Sequence, residues 1–474
     1  MNSETSAHYD AVIIGAGMSG LATAVRLGMY GKKVLVLERH NSPAGLNSFY
    51  ARGQRKYDVG LHALTNWVPE GTKGTPLVKI LRQLRIKREE LDLCPQFGSR
   101  VVMGGKTLRM DNDFEHLLAD VADQFPRAVD GFRALDQWIT ALDEAALQEH
   151  GGSARALLAE KINDPLLRDL LLIPTCFYGS ALEDDIEVSQ FAIMWRSLFR
   201  EGFARPFIGV RQVVRILLDR CREHGVERRM KCGVKQLVVQ SGRVTTLQLD
   251  DGSEVTAEQI YSSAGAVETA RLRSDALPQV READIGRLGY AETITTYEPS
   301  FFERAGWRDT IVFFCDAERF SYRSPNDLVD PQSGVICLPN NYDYGAGRHL
   351  DESWLRVTAL ANHDRWCALS EADYQAQKQV WWQRLQEVAC RHLPALPTGV
   401  QMPTPTSIDM FTPRTVRKFT GHLQGAIYGA KVKQRDGRTD LANLYLIGTD
   451  QGFLGVTGAM LSGISMANLH GLKA

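Results

Sequence analysis

The stretch that decides the fold is Asp10-Ala-Val-Ile-Ile-Gly15-Ala-Gly17-Met-Ser-Gly20. Its first five residues form a short, mostly apolar and β-branched run, which predicts a buried parallel strand. Three glycines follow with the spacing Gly-x-Gly-x-x-Gly, and apolar residues then recur with helical spacing until Gly31. Lys33–Leu37 predicts a second strand, which ends at Glu38. The stretch therefore predicts a complete β-α-β unit with an acidic residue about 20 positions after the glycines.

The glycine spacing has a chemical reason. Gly15 permits a tight turn, Gly17 lets a pyrophosphate approach the backbone, and Gly20 lets the helix lie close to the strand. The free N–H groups of the helix start then face the phosphates, and Ser19 belongs to this turn. Glu38 is expected to accept hydrogen bonds from a ribose 2′-hydroxyl and to repel a 2′-phosphate. The unit is therefore expected to bind an ADP-ribose moiety without that phosphate, which FAD and NAD share.

A second nucleotide-facing segment lies far along the chain. Asn443–Ile447 predicts a buried strand, and the turn Gly448-Thr-Asp450 follows it. Asp450 is placed to bind a ribityl hydroxyl or to lie near the pyrophosphate, and the alternative is that it caps a helix. Small residues then surround the start of a helix, where backbone can approach a polar ligand: Gly455, Val456 and Gly458. Together with the N-terminal position of the first motif, this segment favours FAD over NAD.

Composition excludes several classes of function. The 474 residues contain 55 Lys and Arg against 56 Asp and Glu, a net charge of -1, so there is no excess positive charge for a nucleic-acid partner. The content of 44% hydrophobic and 23% charged residues is that of a globular chain. The eight cysteines form no CxxC pair and the eleven histidines show no metal spacing, so no metal site is expected.

The location is also predicted from the sequence. The polar N-terminus lacks the order of a signal peptide, which favours the cytoplasm. No apolar run reaches the ~18 residues of a membrane span, whereas peripheral membrane contact stays open. The oligomeric state does not follow from the sequence.

These motifs resemble the FAD-dependent phytoene desaturase, carotenoid isomerase and retinol saturase superfamily, which is related to the flavin amine oxidases. The resemblance runs along most of the chain in the expected order. The segments that carry it are Asp10–Gly20, Val34–Arg39, Tyr57-Asp58-Val-Gly60-Leu-His62, Gly209–Ala264, Phe411-Thr-Pro413, Thr420-Gly421, Tyr428-Gly429 and Gly448–Gly463.

The resemblance implies an α/β fold: a Rossmann-type FAD-binding domain of the glutathione-reductase and amine-oxidase kind, with an interleaved α+β substrate domain. The FAD-binding domain is expected to be discontinuous, with residues 1–74, 203–275 and 431–474. The substrate domain is expected to contain residues 75–202, which read as largely helical, and the mixed segment 276–430. FAD is expected to be held without a covalent bond, because no residue is singled out as an anchor.

The resemblance also implies roles for single residues. Arg39 follows the ribose-binding acid, Gly60 and His62 lie in the segment beside the flavin, and the backbone of Val234 faces the adenine. From the residues alone, Val234 reads equally well as a core valine. Where relatives have Gly-Gly-Arg, this chain has Ala44-Gly45-Leu46 followed by Asn47. The loss of the arginine predicts a change in flavin affinity or geometry.

Few side chains are candidates for chemistry besides the flavin. His62 is the catalytic candidate, because it could bond a flavin carbonyl or move a proton; the alternative is a structural histidine. Tyr428 and Lys418 lie in another flavin-side segment. The acidic cluster Glu183-Asp-Asp185 reads as a solvated loop or a proton acceptor. The apolar stripe reads as core packing or a tunnel wall: Phe191, Trp195, Leu198 and Phe199.

The expected function is an FAD-dependent oxidoreductase that transfers hydride between flavin N5 and a carbon of an apolar polyene or isoprenoid-like molecule. Desaturation, saturation and redox isomerisation remain open, since the same flavin can remove, add or cycle two hydrogens. Two alternatives stay in view. One is a flavin amine oxidase, which needs an aromatic cage beside the flavin. The other is a non-catalytic lipid-binding escort protein of the GDP-dissociation-inhibitor kind.

Overall fold

The computed structural model describes residues 7–60, 63–143, 151–276 and 281–473. The strands, in chain order, are β1 Ala7–Ile14, β2 Val34–Glu38, β3 Phe49–Arg52, β4 Arg55–Asp58, β5 Leu64–Thr65, β6 Leu93–Pro95, β7 Ser99–Met103, β8 Lys106–Met110, β9 Phe203–Pro206, β10 Glu227–Met230, β11 Val234–Gln240, β12 Arg243–Leu249, β13 Glu254–Ser262, β14 Gly289–Tyr297, β15 Ile311–Cys315, β16 Ser333–Cys337, β17 Ser353–Ala361, β18 Ser407–Phe411 and β19 Leu444–Leu446.

The α-helices, in chain order, are α1 Met18–Gly28, α2 Pro76–Leu84, α3 Phe114–Gln124, α4 Val129–Ala141, α5 Ala154–Lys161, α6 Pro165–Gly179, α7 Val188–Trp195, α8 Val210–Glu223, α9 Ala266–Arg271, α10 Phe301–Ala305, α11 His363–Ala368, α12 Glu371–His392, α13 Pro413–Thr420 and α14 Gly455–Met466. Single turns of 3-10 or π-helix occur at Gly45–Asn47, Arg88–Leu91, Arg196–Glu201, Glu282–Asp284, Leu423–Gly425, Gly448–Gln451 and Ala467–Gly471. Within the described ranges, every helix is too short or too polar to cross a bilayer.

The first sheet contains the predicted β-α-β unit. Its strands follow the order β10-β2-β1-β13-β12-β11, and β19 lies beside the end of β13. β1 is parallel to β2, with Ala11 opposite Val34, and parallel to β13, with Ile14 opposite Ser262. These strands come from three distant parts of the chain, so the sheet brings their carboxyl ends to one edge.

Two helices meet at that edge through small residues. A Cβ added to Gly20 in α1 would lie 2.1 Å from the carbonyl oxygen of Gly15, so the helix lies directly against the turn. A Cβ added to Gly463 in α14 would lie 2.2 Å from the carbonyl oxygen of Ser19. Glycine at these two positions therefore allows α14 to pack against α1, and α1 against the sheet.

The second sheet has the order β18-β14-β17-β16-β15-β7-β8. β14 is antiparallel to both neighbours, with Glu292 opposite Thr358 on β17 and opposite Phe411 on β18. β7 and β8 also belong to this sheet, although they lie in the segment that the sequence predicts to be largely helical. The side chains of Ser99–Met103 alternate between buried and partly exposed, which is the pattern of a strand. Of the helices in that segment, α3 packs against β8, and α6 packs against β7 and β15.

The apolar stripe of α7 and the turn after it belongs to the core. Phe191, Trp195, Leu198 and Phe199 are all buried. Trp195 packs against Phe199 with ring centroids 4.9 Å apart, and its indole N–H donates to Asp136 at 2.9 Å. A buried tryptophan with a satisfied N–H is ordinary core packing, and these four side chains do not line the cavity described below.

Candidate active site

A single cavity of about 740 Å³ is lined by residues of both sheets. One part, the cradle, lies at the edge of the first sheet, around Gly15, Gly17, Glu38 and Ser263. The other part, the aromatic chamber, lies between the second sheet and α6. Its lining residues are Phe177, Tyr178, Met194, Tyr290, Glu292, Val335, Thr358, Phe411, Ile427 and Tyr428.

The glycines of the cradle leave room for a ligand. Gly17 precedes α1 with φ −69°, and a Cβ there would meet a single neighbour, Ser263 Oγ, at 4.0 Å. The space in front of Gly17 is therefore not filled by protein. Gly15 has φ +96°, and a Cβ would lie 2.3 Å from the same Ser263 Oγ, so glycine is required there by both conformation and contact. A cradle of this shape fits a pyrophosphate.

Glu38 both faces the cavity and fixes the turn. Its two carboxylate oxygens accept hydrogen bonds from the backbone N–H groups of Ala16 and His40, each at 2.8 Å. A carboxylate has about four acceptor positions, so the bonds to backbone leave acceptor capacity for ribose hydroxyls. Glu38 therefore stabilises the glycine turn. The sequence predicts that it also binds the ribose.

Most of the predicted cofactor-binding residues come together in the wall of this cavity. They are Gly15, Gly17, Ser19, Glu38, Arg39, Gly45, Asn47, Gly60, Val234, Gly448, Gly455 and Val456. Gly20, Asp450 and Gly458 are not in the wall. His62 lies outside the described residues. At the position of the missing arginine, Leu46 lines the cavity.

Asp450 is not among the residues that line the cavity. Its carboxylate accepts hydrogen bonds from the backbone N–H of Ala266 at 2.6 Å and of Ala430 at 2.8 Å. The Lys433 ammonium lies 3.4 Å away and also donates to the carbonyl of Tyr428. Since Ala266 begins α9, Asp450 caps a helix other than its own. The cavity wall at this turn is formed by Gly448 and Thr449 instead.

At two other predicted positions, glycine makes room for neighbouring protein. Gly458 lies against Phe453, where a Cβ would be 3.1 Å from the Phe453 carbonyl carbon. Gly60 lines the cavity with φ +70°, but a Cβ there would lie 2.5 Å from the carbonyl oxygen of Leu46. Because Gly60 has no side chain, the Gly45–Asn47 turn can pack directly against it.

The acidic cluster is part of the scaffold. Asp184 accepts from the backbone N–H of Tyr322 at 2.8 Å and pairs with Arg323. Asp185 accepts from the backbone N–H of Arg155 at 3.0 Å, and Glu183 accepts from Ser324 at 3.1 Å. None of the three is among the residues that line the cavity.

The chamber is built from aromatic side chains. Phe177 stacks on Tyr290 with centroids 5.8 Å apart, and Tyr290 meets Tyr428 edge to face at 6.2 Å and 78°. The Tyr428 hydroxyl donates to the carbonyl of Phe177 at 2.6 Å. The Tyr290 hydroxyl contacts the Tyr322 hydroxyl at 2.5 Å. The rings are therefore fixed, with the hydroxyl groups of Tyr290 and Tyr428 bound to neighbouring protein atoms.

One row of side chains crosses the floor of the chamber. Phe411, Glu292, Thr358 and Val335 stand opposite one another on β18, β14, β17 and β16, and all four line the cavity. Sequence reasoning named Phe411, in the segment Phe411-Thr-Pro413, and missed Glu292, Thr358 and Val335. Ser263 was also missed. It directly follows β13, at the carboxyl ends of the parallel strands, where ligands of such sheets bind.

A glycine turn after β1, a second glycine segment after β19 and a separate sheet over the adjoining chamber define a dinucleotide-binding oxidoreductase. The sequence profile of the family described as flavin containing amine oxidoreductase matches residues 18–469, so the chain belongs to this family. Its cofactor is FAD.

Relatives by sequence include enzymes named for carotenoids. The chain is 23% identical over 413 residues to a chloroplastic prolycopene isomerase of Arabidopsis thaliana, which covers 78% of this chain and 66% of the relative. It is 27% identical over 301 residues to a neurosporene-forming phytoene desaturase of Rhodobacter capsulatus, covering 57% and 55%. These alignments span less than two thirds of each relative's length.

Solved structures show the same fold. An oxidoreductase from Methanosarcina mazei superposes with a TM-score of 0.66 at 16% identity, covering 97% of this chain and 99% of the other. A putrescine oxidase bound to putrescine superposes with a TM-score of 0.61 at 15% identity, covering 98% and 99%. At these identities the likeness establishes the fold only. The class of substrate has to be inferred from the residues of the aromatic chamber.

Proposed function

We propose that the protein is an FAD-dependent oxidoreductase that transfers hydride between the flavin and a carbon atom of an apolar polyene or isoprenoid-like substrate. The observation that carries the proposal is the aromatic chamber joined to the cradle in one cavity. Rigid aromatic and aliphatic walls favour a flat, conjugated hydrocarbon through apolar burial and ring contacts. The carotenoid enzymes among the relatives support the same substrate class.

The residues of the cradle fit FAD and have separate tasks. Gly17 and Gly45 leave space for the pyrophosphate, where a Cβ on Gly45 would face only the Cα of Gly17 at 3.7 Å. Glu38 would hold the ribose, and Gly448, Gly455 and Val456 would line the side toward the chamber. When bound, FAD supplies the hydride acceptor or donor, while the chain orients the substrate and excludes water.

The amine oxidase alternative is less well supported. Such an enzyme needs a pair of aromatic rings that encloses the amine. Tyr290 and Tyr428 face the chamber, but their planes meet at 78°, so one ring presents its edge to the other. The escort-protein alternative is opposed by the intact cradle, in which Gly15, Gly17 and Glu38 have the geometry of a dinucleotide site.

The test is an anaerobic titration of the purified, FAD-loaded protein with polyenes, isoprenoid hydrocarbons and primary amines. Flavin bleaching together with a product two mass units lighter, obtained with a polyene, would support the desaturase direction. Chemically reduced protein incubated with the same polyenes tests saturation and isomerisation. Bleaching by amines alone would identify an amine oxidase, and a protein that binds no FAD would identify an escort protein.

Membrane contact belongs to this proposal, because an apolar substrate resides in lipid. Co-sedimentation with liposomes of neutral and anionic composition tests it. Protein that stays in the supernatant with every composition would argue against a substrate that is delivered from a membrane.

A further inference from the structure

The floor of the aromatic chamber contains a buried ion pair. Glu292 on β14 accepts a hydrogen bond from Arg356 Nε on β17 at 2.8 Å, and the two side chains are 8% and 4% exposed. The Thr358 hydroxyl donates to the other carboxylate oxygen at 3.1 Å. A buried ion pair stabilises a fold little compared with apolar residues of the same volume. Its presence beside a cavity therefore indicates a chemical role.

The neighbouring phenols cannot take up a proton. Burial raises the pKa of Tyr178, Tyr290 and Tyr428 well above the usual range of a phenol. They stay protonated at neutral pH, so each can donate a hydrogen bond but not act as a base. The remaining lining residues of the chamber, apart from Glu292, are Phe, Met, Val, Ile and Thr, which do not titrate.

The other carboxylates of the cavity, as far as the structure describes its wall, lie elsewhere. Glu38 is in the cradle, and Glu371 is exposed at the rim. Asp409 accepts from the Tyr50 hydroxyl at 2.7 Å and lies 3.7 Å from the Lys378 ammonium. Glu292 is therefore the carboxylate that a substrate in the chamber meets.

Arg356 and Thr358 hold the Glu292 carboxylate in place. Burial disfavours the charge of Arg356, but the Glu292 carboxylate outweighs it, and the pKa of Arg356 is raised. The ion pair and the Thr358 hydroxyl fix the carboxylate in the cavity wall, where, among the described residues of the chamber, no other carboxylate lies. Glu292 is thus placed to accept a proton from a substrate carbon atom next to the one that loses hydride.

We propose that Glu292 is the proton acceptor of the reaction, an inference that rests on the proposed function. One C–H bond of the substrate breaks as hydride leaves toward the flavin. The adjacent C–H bond breaks as well, its electron pair forms the new double bond, and its proton passes to the Glu292 carboxylate. The substrate loses two hydrogens and two electrons, and the flavin gains the two electrons. In the reverse direction the protonated Glu292 returns the proton.

The experiment uses FAD-loaded wild type and Glu292→Gln, mixed anaerobically with a polyene that the wild type accepts. We expect the rate of flavin bleaching to fall by about 100-fold or more, the usual contribution of a positioned acid or base. Substrate affinity, read from the shift of the flavin spectrum on binding, should change by less than about threefold. Formate should restore part of the rate to Glu292→Ala, because it supplies a carboxylate in the vacated space.

Two further variants distinguish a lost catalytic group from a disturbed fold. The pair Glu292→Gln and Arg356→Gln removes both charges, so no unpaired guanidinium stays buried, and it should show the same loss of rate. Thr293→Val is the matched control. Thr293 lies on the same strand but points to α12, where its hydroxyl accepts a bond from Gln386 at 3.4 Å. This control should keep the wild-type rate.

The outcomes separate the two proposals. A wild type that bleaches with a polyene while Glu292→Gln bleaches equally fast overturns the role of Glu292 and leaves the function standing. A loss confined to substrate affinity, or an equal loss in Thr293→Val, also overturns it. A wild type that neither bleaches with any polyene nor, when chemically reduced, converts one overturns both.

Discussion

The two parts of the cavity are built in opposite ways. The cradle is formed mainly by backbone from short, continuous segments, with glycine wherever the ligand or another backbone approaches, as at Gly15 and Gly17. The aromatic chamber is formed by side chains from separate strands and helices, such as Tyr178, Tyr290 and Tyr428. A backbone site restricts which residue types can occupy each position, whereas a side-chain site can be assembled from ordinary core residues. The cofactor site can therefore be recognised from the sequence, whereas the substrate site can be recognised only from the folded structure.

The largest effect on stability is expected at Asp450, which packs beside the cradle without lining it. Asp450→Asn replaces a carboxylate that accepts from two backbone N–H groups and faces the buried Lys433 ammonium. Burial already lowers the pKa of Lys433, and the Asp450 charge opposes that shift. Because the amide NH₂ would face a donor and the ammonium would lose its counter-charge, we expect a loss of about 3–5 kcal/mol in unfolding free energy. Chemical denaturation measures it.

The control for Asp450 is Asp436→Asn, an exposed neighbour that should change stability by less than about 0.5 kcal/mol. The protein that remains folded as Asp450→Asn should still contain FAD. A variant of native stability that has lost its FAD would instead make Asp450 a ligand of the cofactor, and the cradle would extend further than its backbone.

A smaller effect is expected at the glycines, and it differs between two of them. Gly17→Val places its Cβ in open space, since φ is −69° and a Cβ there meets only Ser263 Oγ at 4.0 Å, but its side chain would fill the place of the pyrophosphate. Overpacking of this kind costs about 1–3 kcal/mol, or roughly 5- to 150-fold in FAD affinity. Equilibrium dialysis of FAD gives the affinity, and the melting temperature of the apoprotein should stay unchanged.

Gly20→Ala should show the opposite behaviour. Its Cβ would lie 2.1 Å from the carbonyl oxygen of Gly15, so the apoprotein itself is destabilised. If Gly17→Val lost apoprotein stability and Gly20→Ala did not, the assignment of ligand space and packing space in the cradle would have to be reversed.

The smallest effect is expected in the chamber. Tyr428→Phe removes a hydrogen bond to the Phe177 carbonyl, which keeps a second donor in Tyr290 at 3.3 Å. Stability should fall by about 0.5–1.5 kcal/mol, and turnover should stay within about twofold, because the ring remains in place. Steady-state kinetics and thermal unfolding check this. A drop in turnover of roughly 100-fold would make Tyr428 a proton donor and weaken the case for Glu292.

The fold and the cofactor could be predicted from the sequence because both depend on local constraints. The β-α-β unit from β1 to β2 has the predicted strands and helix. Family membership and FAD are confirmed by the match over residues 18–469. The domain limits, the roles of single cradle residues and the catalytic role of His62 stay predictions.

The chamber could not be predicted, and β14 shows why. All nine of its residues are buried, so the strand lacks the alternation that would reveal which side chains face a cavity. Glu292 stands out in this strand by its charge, yet its neighbours Arg356 and Thr358 lie more than 60 positions away. Asp450 shows a related limit. Its place after a glycine turn suits both a ligand contact and a cap, and the choice depends on Ala266 and Ala430, which adjoin it only in the folded chain.

The close packing of Gly463 against Ser19 has a consequence for the order of events during folding. The turn after β1 and α14 are in contact in the folded chain, although more than 400 positions separate Ser19 from Gly463. Closing a loop of that length costs chain entropy before the contact stabilises the fold, so we expect this contact to form late. We therefore expect the cofactor to be held firmly only after α14 has packed against α1.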